Sequence, residues 1–459
     1  MRPEHIGYAA LALWSAWRLC QGSRMPGLTY SIVGYLYFFP LIDRPEYLAR
    51  LDLIGIDMHA DRWLLASLLV CSLVYRSTAD IVLSPPGRRI LISLLTYALI
   101  GSVAILGHSG DYPISVAVAE VMRFFTIMCI SIMSWRKRLT FDADAVVTAV
   151  RNLSVMSGAV GMAQFAYDES LMRLGQANEL IAGFPRTLGL LDTLEEQGLV
   201  LNIGLCTVLW GSGRTYSRLV QALILLGGTF CVQQRFAVVV AAVLCLWWIS
   251  VQGFRRGKAR VVGSSLAIVA LFIGGWRSLP DNFRREYISE RVVSTQNAVG
   301  RIAINRAAVD LIMMSPWGYG MLLQSSRYQE EAVRAGIPLY WNKRMEKHVP
   351  LVVHNGYLGS AVRYGVLGVL AFLAVFVAGF SWARAARHFA INEASMAVGI
   401  LVSLALYNIS QDGSFPMRGF QIVAVALGAL VAGVSQIELN LHSRPARPAY
   451  TETESITFG

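Results

Sequence analysis

The chain has 459 residues, a net charge of +11 and a mean hydropathy of +0.50, with 55% hydrophobic and 15% charged residues. Soluble domains carry about 25% charged residues, so this composition excludes an ordinary water-soluble protein. Lys and Arg gather between apolar runs, as in the cytoplasmic loops of membrane proteins, and no basic face with interleaved aromatics points to nucleic acid.

A helix rises about 1.5 Å per residue and the hydrocarbon core is about 30 Å thick, so about 20 apolar residues make a span. Thirteen stretches approach that length: 5–19, 26–42, 62–76, 88–107, 113–134, 143–166, 194–212, 217–232, 236–252, 260–278, 353–380, 391–410 and 417–436. The expected fold is all-α, a polytopic membrane protein with 12–13 transmembrane helices. Residues 1–440 form a single transmembrane domain, with 279–353 as one long helical loop inside it and 441–459 as a disordered cytoplasmic tail. The N-terminus, Met1 to His5, has no lysine-rich region or small-residue cleavage site, so no signal peptide is expected. Cys20, Cys71, Cys129, Cys206, Cys231 and Cys245 sit in or beside apolar runs without CxxC spacing and read as small hydrophobes.

Basic groups fix the orientation: Arg76 with Arg88-Arg89, Arg136-Lys137-Arg138, Arg214 with Arg218, Arg255-Arg256, Arg384 with Arg387, and Arg444 with Arg447 all lie in alternate loops. Placing these in the cytoplasm turns 167–193, 233–235, 279–353 and 411–416 outward. This parity puts the N-terminus outside. If the first block lies on the surface, or the first two form one broken span, the count is twelve with both ends inside.

Charges at membrane depth are costly, which singles out Arg186 in GFPRTLGLL, Arg235 in TFCVQQRFAVVV and Arg301 in NAVGRIAINR on the outward side. For each alone, a side chain snorkelling to carbonyls or headgroups is an equal reading. The segment 279–353 is long for a loop, and its apolar Ile302, Ile304, Ala308 and Ile312 recur at helical spacing before Pro316-Trp317-Gly318-Tyr319-Gly320 ends the helix. Trp317, Tyr319, Tyr340 and Trp341 suit a membrane-interface belt. The segment is basic on balance, Arg306 included, which suits an anionic ligand or headgroup. It ends at His354-Asn355-Gly356, read as the start of a span continuing through Gly365 and Gly368. A histidine at a helix start is commonly structural, but at an outer surface its imidazole can accept a hydroxyl proton. Glu195-Glu196 reads as a helix-dipole partner, and no carboxylate cluster has metal-ligand spacing.

His354-Asn355-x-x-Leu358-x6-Gly365-x-x-Gly368 resembles the signature of the O-antigen ligase and O-antigen polymerase superfamily of bacterial envelope glycosyltransferases. Arg301 through Pro316-x-x-Gly320 is similar to the family's loop segment before the histidine. Arg235 resembles its other arginine, with Gln234 standing where Ser is usual, and Arg186-Thr187-x-Gly189 resembles a looser element. The resemblance covers about residues 180–370. It implies a GT-C type transferase in the bacterial inner membrane, with its site facing the periplasm. The donor would be an undecaprenyl-diphosphate-linked glycan, the acceptor a glycan or lipid-linked hydroxyl, with membrane lipids and polysaccharide-assembly proteins as partners.

Arg235, Arg301 and Arg186 would hold the diphosphate, because guanidinium groups bind it bidentately and stay charged. His354 would be the base, and Asn355, Gln234, Arg306 and Tyr319 would support it. One displacement would invert the anomeric carbon, with no cofactor and no metal. Polymerase is the preferred reading, ligase the alternative, and a polysaccharide transporter or lipid flippase the third. Transport would require mid-span charges, for which Arg123 and Arg363 are candidates, and related halves, which are not apparent.

Overall fold

Apolar runs bounded by charged or glycine residues become helices close to their expected limits. The computed structural model describes residues 27–38, 51–53, 56–58, 85–114, 117–118, 120–121, 124, 142–167, 171, 180–181, 184–191, 193–211, 214–256, 277, 280–287, 296–322, 325–342, 347–351, 353–410 and 418–442. The expected spans 5–19, 62–76 and 260–278 lie essentially outside the described residues, as do Arg123 and the tail beyond His442.

Among the described residues the helices are α1 (Gly27–Phe38), α2 (Pro85–Gly107), α3 (Ala143–Ala166), α4 (Leu194–Trp210), α5 (Thr215–Val232), α6 (Arg235–Arg256), α7 (Asp281–Tyr287), α8 (Gln296–Met314), α9 (Ser326–Arg334), α10 (Gly356–Ala386), α11 (Ile391–Ser410) and α12 (Arg418–His442). Five of them, α2, α3, α5, α10 and α11, are long and apolar enough to cross a membrane, and α6 and α12 contain shorter apolar stretches. The protein is thus a mainly helical, polytopic membrane protein. Its strands form antiparallel hairpins, β1 (Leu51–Leu53) with β2 (Ile56–Met58), β3 (Leu180–Ile181) with β4 (Phe184–Pro185), and β5 (Leu339–Asn342) with β6 (Lys347–Pro350).

Helix α4 is buried from Glu196 to Trp210, as expected for a helix that is apolar all round. Around it pack α3, α5, α6, α11 and α12, while α10 packs on α2 and α11. Tyr97 of α2 joins Phe124, Tyr364, Phe372 and Phe420 in an aromatic core with ring centroids 5.2–6.1 Å from Tyr97. Such pairs add to simple burial because ring edges meet ring faces.

The expected continuous span 353–380 is corrected. Helical geometry starts at Gly356 and is broken at Gly365 (φ 74°, ψ −174°). In a straight helix Tyr357 and Phe372 would be about 22 Å apart. Their rings lie 5.8 Å apart, and Tyr357 lies 6.2 Å from Phe376. The arm Gly356–Tyr364 therefore folds back against the span proper, which begins at Val366 and, through Ala386, is about 31 Å long, one hydrocarbon thickness. Hydropathy missed the reversal because glycine in an apolar run leaves the average unchanged.

The broken turn is completed by the long loop. Tyr319 N donates to Val362 O (2.9 Å), Gly320 N to Arg363 O (2.8 Å), and Val366 N to Pro316 O (2.9 Å). Backbone groups at membrane depth must be paired, and here Pro316 to Gly320 supplies the missing turn. The loop is not wholly helical, since β5–β6 follows α9. Tyr319 is also no belt residue. It is fully buried in a second core with Ile304, Ala308, Leu311, Tyr328 and Val362, whereas Trp317 and Trp341 are exposed. Its hydroxyl donates to Glu331, which also accepts from Arg327 Nε at 3.0 Å. Burial alone would raise the Glu331 carboxyl, but these hydrogen bonds outweigh it and hold the group below its usual range.

Candidate functional site

The site is built where alternate helix ends meet on the face that carries the long loop. Its first piece is the segment after β4. Gln164 of α3 reaches it twice: Nε2 donates to Gly189 O (2.9 Å), and Oε1 accepts from Gly189 N (2.9 Å) and Leu188 N (3.2 Å). Ser157 accepts from Leu190 N (3.0 Å) and donates to Gln197 Oε1 (2.6 Å). Gly189 (φ 57°) fits because a side chain there would meet Ser157 O at 2.6 Å and the Gln197 amide. This network holds the extended Arg186-Thr187 backbone between helices.

The second piece is the α5–α6 turn. Gln233 takes a left-handed conformation (φ 55°), which is uncommon for a residue with a side chain, and its Nε2 donates to Pro185 O (3.2 Å). Thr187 N donates to Cys231 O (3.2 Å), so Arg186 and Arg235 stand on segments bonded to one another.

Three consecutive residues of α11 join the remaining pieces. The Tyr407 hydroxyl shares its one proton between Gln234 Oε1 (2.8 Å) and Glu195 O at the start of α4. The Asn408 side chain lies against Gly356, and Ile409 O accepts from Asn355 Nδ2 (3.0 Å). Tyr407 is within electrostatic reach of Arg186, Glu195 and Glu196, while Arg301 is within reach of Glu195, Arg235 and Tyr407. Burial lowers the Arg301 guanidinium below its ordinary value; the like charge of Arg235 acts the same way, and Glu195 and Tyr407 oppose both. It stays charged at neutral pH.

The three arginines thus gather around Tyr407 and Glu195, and His354, half-buried, stands at the same end of α11. The starts of α4, α6 and α10 open there too, adding the partial positive charge of helix N-termini. Such a set can hold an anion and present an imidazole beside it. Among the described residues no group of three or more His, Cys, Asp or Glu side chains could hold a metal ion.

Asn355 has a double task. Its Oδ1 accepts from Tyr357 N and Leu358 N (3.0 Å each), capping the folded-back arm, while Nδ2 holds α11. Asn355→Ala is expected to cost about 0.5–2 kcal/mol, the range for a lost cap. Asn355→Asp keeps the cap and loses only the donor. Thermal unfolding in detergent should rank wild type above Asp above Ala, and an Ala variant as stable as wild type would refute this role.

Two sequence candidates stay apart. Arg306 is exposed and lies roughly 140° around α8 from Arg301, five residues at about 100° each. Tyr319 is bound into the loop core and supports the site only through the junction with α10. Arg363 is not buried in mid-span but sits two residues before the break at Gly365, within electrostatic reach of Tyr328 in the loop. Sequence reading missed Tyr407, because a tyrosine at a span end looks like an interface anchor, and assigned Glu195 only to its helix dipole.

The deciding comparison covers α5 through the upper part of α10. Residues 220–373 match the O-antigen ligase family. Arg235, Arg301 and His354 lie inside that stretch, and Arg186 and Tyr407 lie outside it. The match, over about a third of the chain, supports the O-antigen ligase and polymerase superfamily resemblance and a membrane glycosyl-transfer function. No curated protein matches the chain.

Proposed function

We propose that this chain transfers a glycan from undecaprenyl diphosphate to a sugar hydroxyl on the periplasmic face of a bacterial inner membrane, as an exopolysaccharide or O-antigen polymerase. The observation that carries the reading is the gathering of Arg186, Arg235 and Arg301 around Tyr407, at the α11 end that also holds His354. A diphosphate leaving group gains negative charge as its bond to the anomeric carbon breaks, and fixed guanidinium groups and helix N-termini stabilise that charge. The acceptor oxygen forms the new bond from the opposite face as His354 takes its proton, so the anomeric carbon inverts. No step requires a metal.

The ligase reading, with lipid A-core as acceptor, uses the same groups, and the family match supports both readings equally. One experiment tests the chemistry and separates the two. His354→Ala, Arg235→Ala and Arg301→Ala are expressed in a strain lacking the gene, and the glycans are sized. Loss of a polymerase leaves single repeats on the acceptor, whereas loss of a ligase leaves long glycan on the carrier lipid. Three stable, inserted and fully active variants would overturn the assignment of the site.

A further inference from the structure

Helix α8 is apolar on two opposite faces. One face, Ile304, Ala308 and Leu311, is buried in the loop core against Tyr319, Tyr328 and Val362. The other carries Ile302, Val309 and Met313, exposed to 68%, 48% and 77%. At about 100° per residue these three fall within a stripe roughly 40° wide. Asn305 and Arg301 flank it on one side, and Arg306 and Asp310 on the other. A single exposed aliphatic residue is ordinary, but a stripe bordered by polar residues on both sides is the pattern of an interfacial helix.

Depth follows from the fold-back. The arm Gly356–Tyr364, on which α8 packs, returns to the level of Phe372 and Phe376. At that level the span itself exposes Leu370, Leu373 and Val377. The stripe is also continuous with this wall, since α8 leads into exposed Trp317 and Pro316 O bonds the amide of exposed Val366.

We propose that α8 lies in the outer leaflet of the bilayer, with Ile302, Val309 and Met313 sunk among acyl chains and Arg306 and Asp310 at the headgroups. Arg301, one residue before Ile302, is thereby held at headgroup depth on the flank facing Arg235. The occupant of the stripe is bilayer lipid, not a protein partner. This inference rests on the membrane fold and stands whether or not the chain transfers glycan.

The test places the photo-crosslinking residue benzoylphenylalanine singly at Ile302, Val309 and Met313 in the full chain, in phospholipid vesicles. Leu370 is the lipid-facing control and Glu330, on the polar face of α9, the water-facing one. Phospholipid adducts on the peptides containing 302, 309 and 313, in yield comparable to Leu370 and lost at Glu330, are expected. Adducts at Leu370 with none at the three α8 positions would place the stripe in water and overturn the proposal. Crosslinks from those positions to another polypeptide, or to a second copy of this chain, would overturn it equally.

Discussion

Arg235→Ala and Arg301→Ala should each lower the rate of glycan transfer by about 10²–10³-fold, the usual cost of removing one preorganised donor from a developing anion. The double variant should fall by less than the product of the two. Both guanidinium groups would serve one diphosphate, and groups that share a ligand are not additive. Arg235 acts on Arg301 as a like charge. Removing either therefore relieves a repulsion as well as removing a contact. Arg301→Lys should fall between wild type and alanine, because an ammonium keeps the charge and loses the planar fork. Initial rates from lipid-linked donor in reconstituted vesicles, normalised to inserted protein, measure all four. Strictly multiplicative losses would mean that the two arginines act on different species.

Tyr407 explains how this pair is held. Arg301 comes from the long loop and Arg235 from a turn between spans, so nothing local in the sequence joins them. Tyr407 bonds the residue before Arg235 and the backbone of Glu195, while Glu195 lies within reach of Arg301. The opposite charge of Glu195 offsets part of the Arg235 repulsion at Arg301, and a bound diphosphate would add to that compensation.

Among the described residues, spans were legible where an apolar run ended at a charge or a glycine. Residues 143–166 and 391–410 form helices over the expected residues, and 88–107 gains only a first turn from Pro85, Pro86 and Gly87. Arg186, Arg235 and Arg301 were legible because a charge against an apolar run stands out. What composition could not carry was direction. The reversal at Gly365 depends on a single backbone angle, and the burial of Tyr319 on a loop segment whose backbone bonds α10 at its break. Arg306 was read as a supporting residue because sequence alone does not say which face of α8 meets the protein.

Gly365→Val is expected to abolish transfer while leaving every charged group of the site in the chain. The conformation at Gly365 (φ 74°, ψ −174°) is one that essentially only glycine adopts, and forcing a side chain into it costs about 1–3 kcal/mol. Space is a second obstacle: a Cβ would stand 2.6 Å from the Trp317 carbonyl carbon and closer still to Pro316 O. Relief requires Pro316 to Gly320 to move off α10, which breaks the four backbone hydrogen bonds that Val362 O, Arg363 O and Val366 N make with this segment near the bilayer. The loop mirrors this requirement, for Gly318 (φ 85°) lies against Arg363 with no room for a side chain, so Gly318→Ala should reproduce the defect. Gly300→Ala is the control, since nothing lies within 4 Å of its added carbon and alanine suits a helix better than glycine. Protease should cut between 316 and 320 in the first two variants and spare the third. If Gly365→Val stayed resistant and active, the junction would not be what fixes Arg301 relative to His354, and the arm carrying His354 would have to be held by Asn355 and α11 alone.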